Sequence, residues 1–159
     1  MKSALLTVLA LAAAVIPHAS RADALTAQDY AEIEQLYAQY NLTLDANDPE
    51  GWAATFTPDG TFMSYTGHDG LVGFAKAWHE RMGGTTRRHW NTNLRLTGDG
   101  TKAEGTVYLM LVDVATKSIY STGVYTDVLT KTPQGWRFTK RVVKLDAAAP
   151  AAPAQQPPK

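Results

Sequence analysis

The sequence predicts an α+β fold: three helices in the first half, packed on a strongly curved, mostly antiparallel sheet that encloses a cone-shaped pocket. Three observations predict it. Apolar residues recur at helical spacing up to Gly83, alternation replaces that spacing from Thr85 onward, and turn residues cut the alternating half into four long runs. A doubly wound fold needs strands and helices to alternate throughout, which this order excludes. A twisted sheet wrapped around an amphipathic helix leaves a conical pocket open at one end.

The first helix starts after Thr26, which can cap it, with Asp29 three residues on as a capping-box variant. Ile33, Leu36, Tyr37, Tyr40 and Leu44 then fall on one face, so the helix runs to about Leu44 and that face covers something apolar. Asn41 and Asp45 share the edge of this stripe beside Tyr40, which lets a phenol and a carboxylate border whatever the stripe buries. Asp48 as N-cap and Pro49 at the first helical position start a second helix over 49–55, with Trp52 and Phe56 as its apolar face. Thr57-Pro58-Asp59-Gly60 is expected to form a turn into a short strand, 61–65, and 67–70 a loop. Leu71, Phe74, Ala75 and Trp78 define a third helix that stops before Gly83-Gly84.

The four alternating runs are 86–96, 103–114, 118–130 and 135–145. The turns between them are short, so consecutive strands are expected to pair as an antiparallel meander. In the third run Ile119, Ser121, Gly123, Tyr125 and Asp127 share one face, and Tyr120, Thr122, Val124, Thr126 and Val128 the other.

Residues 1–24 read as a secretory signal peptide: Lys2, an apolar run from Ala4 to Ile16, a proline, and small residues near Ala22 and Ala24. The run is shorter than the roughly 20 residues a bilayer span needs, so no membrane span is expected. The expected location is periplasmic or secreted after cleavage. Residues 25–146 form one domain, and 147–159, rich in Ala, Pro and Gln, read as a disordered tail. The chain has 159 residues, 45% hydrophobic and 19% charged, enough for one domain with a core. With no cysteine, disulfides and thiol chemistry are unavailable, and stability rests on packing or oligomerisation. The balance of 15 basic and 15 acidic residues gives no reason to expect a nucleic-acid partner.

The stretches YNLTLDANDPEGWAATFTPDGTF, RRHWNTNLRL and STGVYTDVLTKTPQGWRFTKRVVKLD together resemble the SnoaL-like branch of the nuclear-transport-factor-like superfamily, over essentially 25–146. That superfamily includes scytalone dehydratase, bile-acid dehydratase, ketosteroid isomerase, limonene epoxide hydrolase and polyketide cyclases. In its dehydratase-like members a Tyr and an Asp on the first helix and a His on a strand converge in the cone. Their Tyr-x4-Asp pattern falls on Tyr40 and Asp45, and the His-x3-Asn-x2-hydrophobic pattern on His89, Asn93 and Leu96. Asp48, Trp52, Phe56 and Asp59-Gly60 are similar to framework positions. The resemblance implies a catalytic trio of Tyr40, Asp45 and His89.

Read from the residues alone, each member of the trio has a plain structural alternative. His89 could take a proton near physiological pH, with a carboxylate fixing its tautomer, or it could be a core histidine bonded to backbone. Asp45 could orient and charge-balance that ring, or merely end a helix. Tyr40 could donate to a carbonyl or leaving oxygen, or simply pack. Trp52, Phe56, Trp78, Tyr108 and Tyr125 are the expected substrate-pocket residues. His68 and His79 lack metal-ligand spacing, and no phosphate loop, dinucleotide fingerprint or Gly-x-Ser-x-Gly is present, so neither metal nor organic cofactor is expected. The expected activity is a cofactor-independent dehydratase or isomerase acting on a hydrophobic small molecule, in a homodimer formed through the outer sheet face. The alternative is a non-catalytic binder of a small ligand or partner on the same fold.

Overall fold

The computed structural model describes residues 24–84 and 86–147; the expected signal peptide, except Ala24, and the expected tail, except Ala147, lie outside the described residues. Three helices, α1 (Ala27–Asp45), α2 (Pro49–Ala53) and α3 (Gly67–Arg81), pack on a curled, unclosed sheet of six strands among the described residues. The strands are β1 (Phe56–Phe62), β2 (Tyr65–Thr66), β3 (Arg87–Gly98), β4 (Lys102–Asp113), β5 (Ser118–Thr132) and β6 (Gly135–Leu145), in spatial order β2-β1-β6-β5-β4-β3. No described helix is long and apolar enough to cross a membrane.

α1 begins as its sequence dictates. Thr26 accepts from the Asp29 backbone N–H, while Asp29 accepts from the Thr26 N–H, a complete capping box. Ile33, Leu36, Tyr37, Tyr40 and Leu44 are buried together. Two expectations fail before the sheet. The chain over 67–70 is the first turn of α3 rather than a loop, and Pro58-Asp59-Gly60 lies within β1, whose pairing with β6 is parallel and shifts register between Phe56 and Thr61. An irregular register accommodates there what reads in sequence as a turn.

β3 to β6 form the expected meander, and its register stacks the inner face in layers. His89, Leu111 and Ser121 make one row; Leu109, Gly123 and Leu145 the next; then Val107, Tyr125 and Val143; then Gly105, Asp127 and Arg141. A bulge between Thr92 and Arg95, with Asn93 at φ 59°, flips the parity of β3, so His89 and Leu96 both face inward. A second irregularity pairs Leu111 with Ser121 but Val112 with Ile119. It corrects the face assignment at the start of β5: Tyr120 lines the cavity, while Ile119 is paired with outward Val112 and 60% exposed.

Candidate active site

Between α1, α3 and the inner sheet face lies a cavity of about 300 Å³. Tyr40, Leu44, Phe74, Trp78, His89, Leu109, Leu111 and Tyr125 line its interior, and exposed Met63, Tyr120 and Leu145 mark the open end. A little over two helical turns of α1 carry the chemistry to this place: Tyr37, Tyr40, Leu44 and Asp45 all point from one helix face toward the sheet.

Asp45 ends α1 and is almost fully buried, yet it does not cap the helix. Its Oδ2 accepts the His89 backbone N–H at 3.0 Å, and its Oδ1 lies 2.6 Å from His89 Nδ1. One carboxylate therefore fixes both the strand position and the ring of the same residue. With a proton on Nδ1 pointing at Asp45, the neutral ring keeps the lone pair on Nε2 for the cavity that His89 lines. The Trp78 ring packs beside the imidazole at 5.3 Å between centroids.

Tyr40 is fully buried, and its hydroxyl has no aligned hydrogen-bond partner among the described residues, although the Tyr125 hydroxyl adjoins it. Burial pushes the Tyr40 phenol well above its usual pKa, with Arg141 pulling against the rise; burial raises Tyr125 likewise. Both phenols therefore stay protonated and remain hydrogen-bond donors. Leaving such a group unpaired costs roughly 1–3 kcal/mol. A ligand oxygen in the cavity would recover it.

Behind the phenols stands a group that no sequence spacing announced. The Arg141 guanidinium is completely buried, 4.0 Å from the Tyr125 ring centroid, 4.2 Å from that of Tyr40 and 4.7 Å from that of Tyr37. Its Nε lies 3.0 Å from Asp127 Oδ1 and its Nη2 donates to Oδ2 at 3.2 Å, while Tyr37 donates to the same Oδ2 at 2.5 Å. Burial raises the Asp127 carboxyl, and Arg141 and Tyr37 oppose that rise. Gly105 makes the triad possible: a Cβ there would sit 2.3 Å from the Tyr37 hydroxyl. The only signal in the sequence is the position of Asp127, beside Tyr125 on the same face of β5; alternation from Trp136 and Phe138 would turn Arg141 outward, and the register irregularity between Phe138 and Lys140 turns it in.

The structure thus brings Tyr40, Asp45, His89, Trp78 and Tyr125 together at one cavity. Three expected pocket residues are elsewhere. Trp52 and Phe56 are buried in an aromatic cluster behind Tyr40, with ring centroids 5.3 and 6.0 Å from it, and do not line the cavity. Tyr108 is 51% exposed on the opposite face of the sheet, because Val107 and Leu109 take the inward positions of β4. Asn93 is exposed at the β3 bulge, away from the ring of His89. Among the described residues no group of three or more His, Asp or Glu converges to hold a metal.

The fold is a curled α+β cone with a buried Asp45–His89 pair beside its cavity, and comparison with known proteins places the chain in a family. The SnoaL-like domain matches residues 25–142, and the chain belongs to that family. No curated protein matches it significantly. A protein of unknown function with a cystatin-like fold from Nostoc punctiforme is 26% identical, covering 80% of this chain and 98% of its own, with a TM-score of 0.73. A single-substitution variant of a function-unknown protein from Mycobacterium tuberculosis is 32% identical over 76% of this chain and 73% of its own, with a TM-score of 0.67. A Catenulispora acidiphila protein solved in complex with S-DNPA is 28% identical over 76% of this chain and 95% of its own, with a TM-score of 0.63.

Proposed function

We propose that the protein is a cofactor-independent dehydratase or isomerase acting on a hydrophobic small molecule held in the cavity. The observation that carries this reading is Asp45, which commits both oxygens to His89 and leaves Nε2 to the cavity. His89 Nε2 takes a proton from the carbon beside a carbonyl, Asp45 stabilises the imidazolium, and Tyr40, with Tyr125 beside it, donates to the oxygen that gains charge. In dehydration the C–H electron pair becomes the new double bond, the C–O bond breaks, and the oxygen leaves as water with the proton His89 collected. In isomerisation the same proton returns to a different carbon. The similar Catenulispora acidiphila protein, solved in complex with S-DNPA, supports a ligand-binding role for the shared fold.

Mass spectrometry of ligand retained by the native protein, followed by its incubation with wild type and His89→Ala, tests the reading. Loss of 18 Da, the mass of water, or an isomer formed only by wild type supports it; tight binding without conversion assigns the cavity to the non-catalytic alternative. Two further parts of the proposal concern context. The leader directs export to the periplasm or beyond, and intact mass of the exported form checks the cleavage. A homodimer forms through the outer sheet face, where Trp90 pairs with Met110, Tyr108 with Val124 and Val112 with Ile119, so that Trp90, Tyr108 and Ile119 stand exposed there. Sedimentation of a monomer at micromolar concentration would remove the dimer.

A further inference from the structure

We propose that Arg81 forms an anion subsite at the cavity mouth, so that the ligand is an apolar ring compound carrying a carboxylate at its solvent end. This rests on the proposed reading in taking the same cavity as the binding site, but not on the chemistry assigned to His89.

Among the described residues the cavity lining is apolar apart from three tyrosines, Ser121, His89 and Arg81, and it contains no carboxylate, since Asp45 stands behind His89. Among the described residues, Arg81 is its only permanently charged side chain. It is exposed and makes no ion pair or hydrogen bond with any described residue. The neighbouring Arg87 differs. It is ion-paired with Asp113 and stacked 4.4 Å over the Tyr120 ring that lines the mouth, so its charge is already answered. A cation in the last turn suits the helix dipole, which accounts for the sign of Arg81 but not for its place on the cavity wall.

That place follows from the α3 spacing. Phe74, Trp78, Arg81 and Met82 fall on one helix face and all line the cavity. Trp78 touches the His89 ring, and Arg81 lies three residues further toward the open end, about 4.5 Å along the axis. With the reach of its own side chain, Arg81 places an anion on the order of 5–10 Å from the reacting carbon. One or two fused rings span that gap. An apolar ring fills the walls, its oxygen meets the phenols, and its carboxylate takes the planar fork of the guanidinium. A neutral amide of the same shape would forfeit the charge.

The test compares 2-naphthoate with 2-naphthamide, titrated against the purified protein by calorimetry at low and at physiological salt. Wild type should bind the acid on the order of tenfold more tightly than the amide, the worth of a charge-assisted contact at a partly exposed site. The preference should shrink with salt. Arg81→Gln should bring the ratio to about one, and Arg81→Lys should keep a reduced preference. Equal affinities in wild type, a ratio that survives in Arg81→Gln, or no saturable binding of either compound overturns the proposal. Turnover that survives in His89→Ala would defeat the catalytic reading instead and leaves the acid-to-amide ratio standing as the measure of Arg81.

Discussion

The two ends of α1 each carry a buried carboxylate that reaches across to the sheet, and they use it differently. At the N-terminal end Asp29 accepts from Lys131 at 2.7 Å, from the Thr26 hydroxyl at 2.7 Å and from the Trp136 indole at 3.1 Å. Every donor there is structural, and Lys131 above all, with Thr26, holds the carboxyl well below its usual range. At the C-terminal end Asp45 gives both oxygens to His89, whose ring still has a nitrogen available to a cavity. Burial and charge are common to both. What separates a clamp from a candidate site is whether the partner has an unused polar atom facing open space.

The largest effect that could blur this contrast lies behind the cavity. Asp127→Ala leaves Arg141 buried without its counter-charge, and should lower unfolding free energy by about 3–5 kcal/mol in urea or guanidinium melts. If the loss is below 1 kcal/mol, the cavity end does not depend on this ion pair. The next largest effect separates two tyrosines one turn apart. Tyr40→Phe removes a hydroxyl with no aligned protein partner, so melting temperature should hold while turnover falls about 10²–10³-fold. Tyr37→Phe removes the donor to Asp127, and should cost about 1–3 kcal/mol of stability. Reversed results would exchange the roles of the two phenols.

The clamp end should give the smallest effect. Asp29→Asn weakens the capping box and the Lys131 contact, and should cost about 1–2 kcal/mol, read as a lower melting temperature without loss of turnover. Because the folded carboxyl is held below its unfolded value, this contribution is complete above the ordinary carboxylate range. It is lost as pH falls through that range toward the depressed folded value. Melting of wild type and Asp29→Asn from neutral pH downward should therefore converge in acid, and curves that stay parallel would contradict the assignment.

What the sequence made legible follows the same division. The α1 stripe, the Thr26 cap and the inward phase of His89 are local patterns with fixed periods, and the resemblance named Tyr40, Asp45 and His89 together. Two kinds of feature were not legible. Tyr37, Asp127 and Arg141 are far apart in sequence and meet only through α1–sheet packing and strand register. Tyr108 and Tyr120 are misplaced by alternation because β4 is apolar on both faces from Val107 to Val112 and an irregular register resets parity at the start of β5; alternation says which residues share a face, not which face is inside. Trp52 and Phe56 read as cavity residues because they are large and aromatic, but such residues equally well fill the core against Tyr40.

The central claim is that Asp45 and His89 act as one unit, and turnover measured together with melting temperature in Asp45→Asn, His89→Ala and the double variant tests it most directly. With the ligand recovered from the native protein as substrate, each single change should lower turnover by about 10² or more while melting temperature stays near wild type. The double variant should be little worse than the worse single one, because residues that serve a single proton transfer are non-additive. Additive losses that track a falling melting temperature would contradict the claim, and would make Asp45 a clamp of the same kind as Asp29.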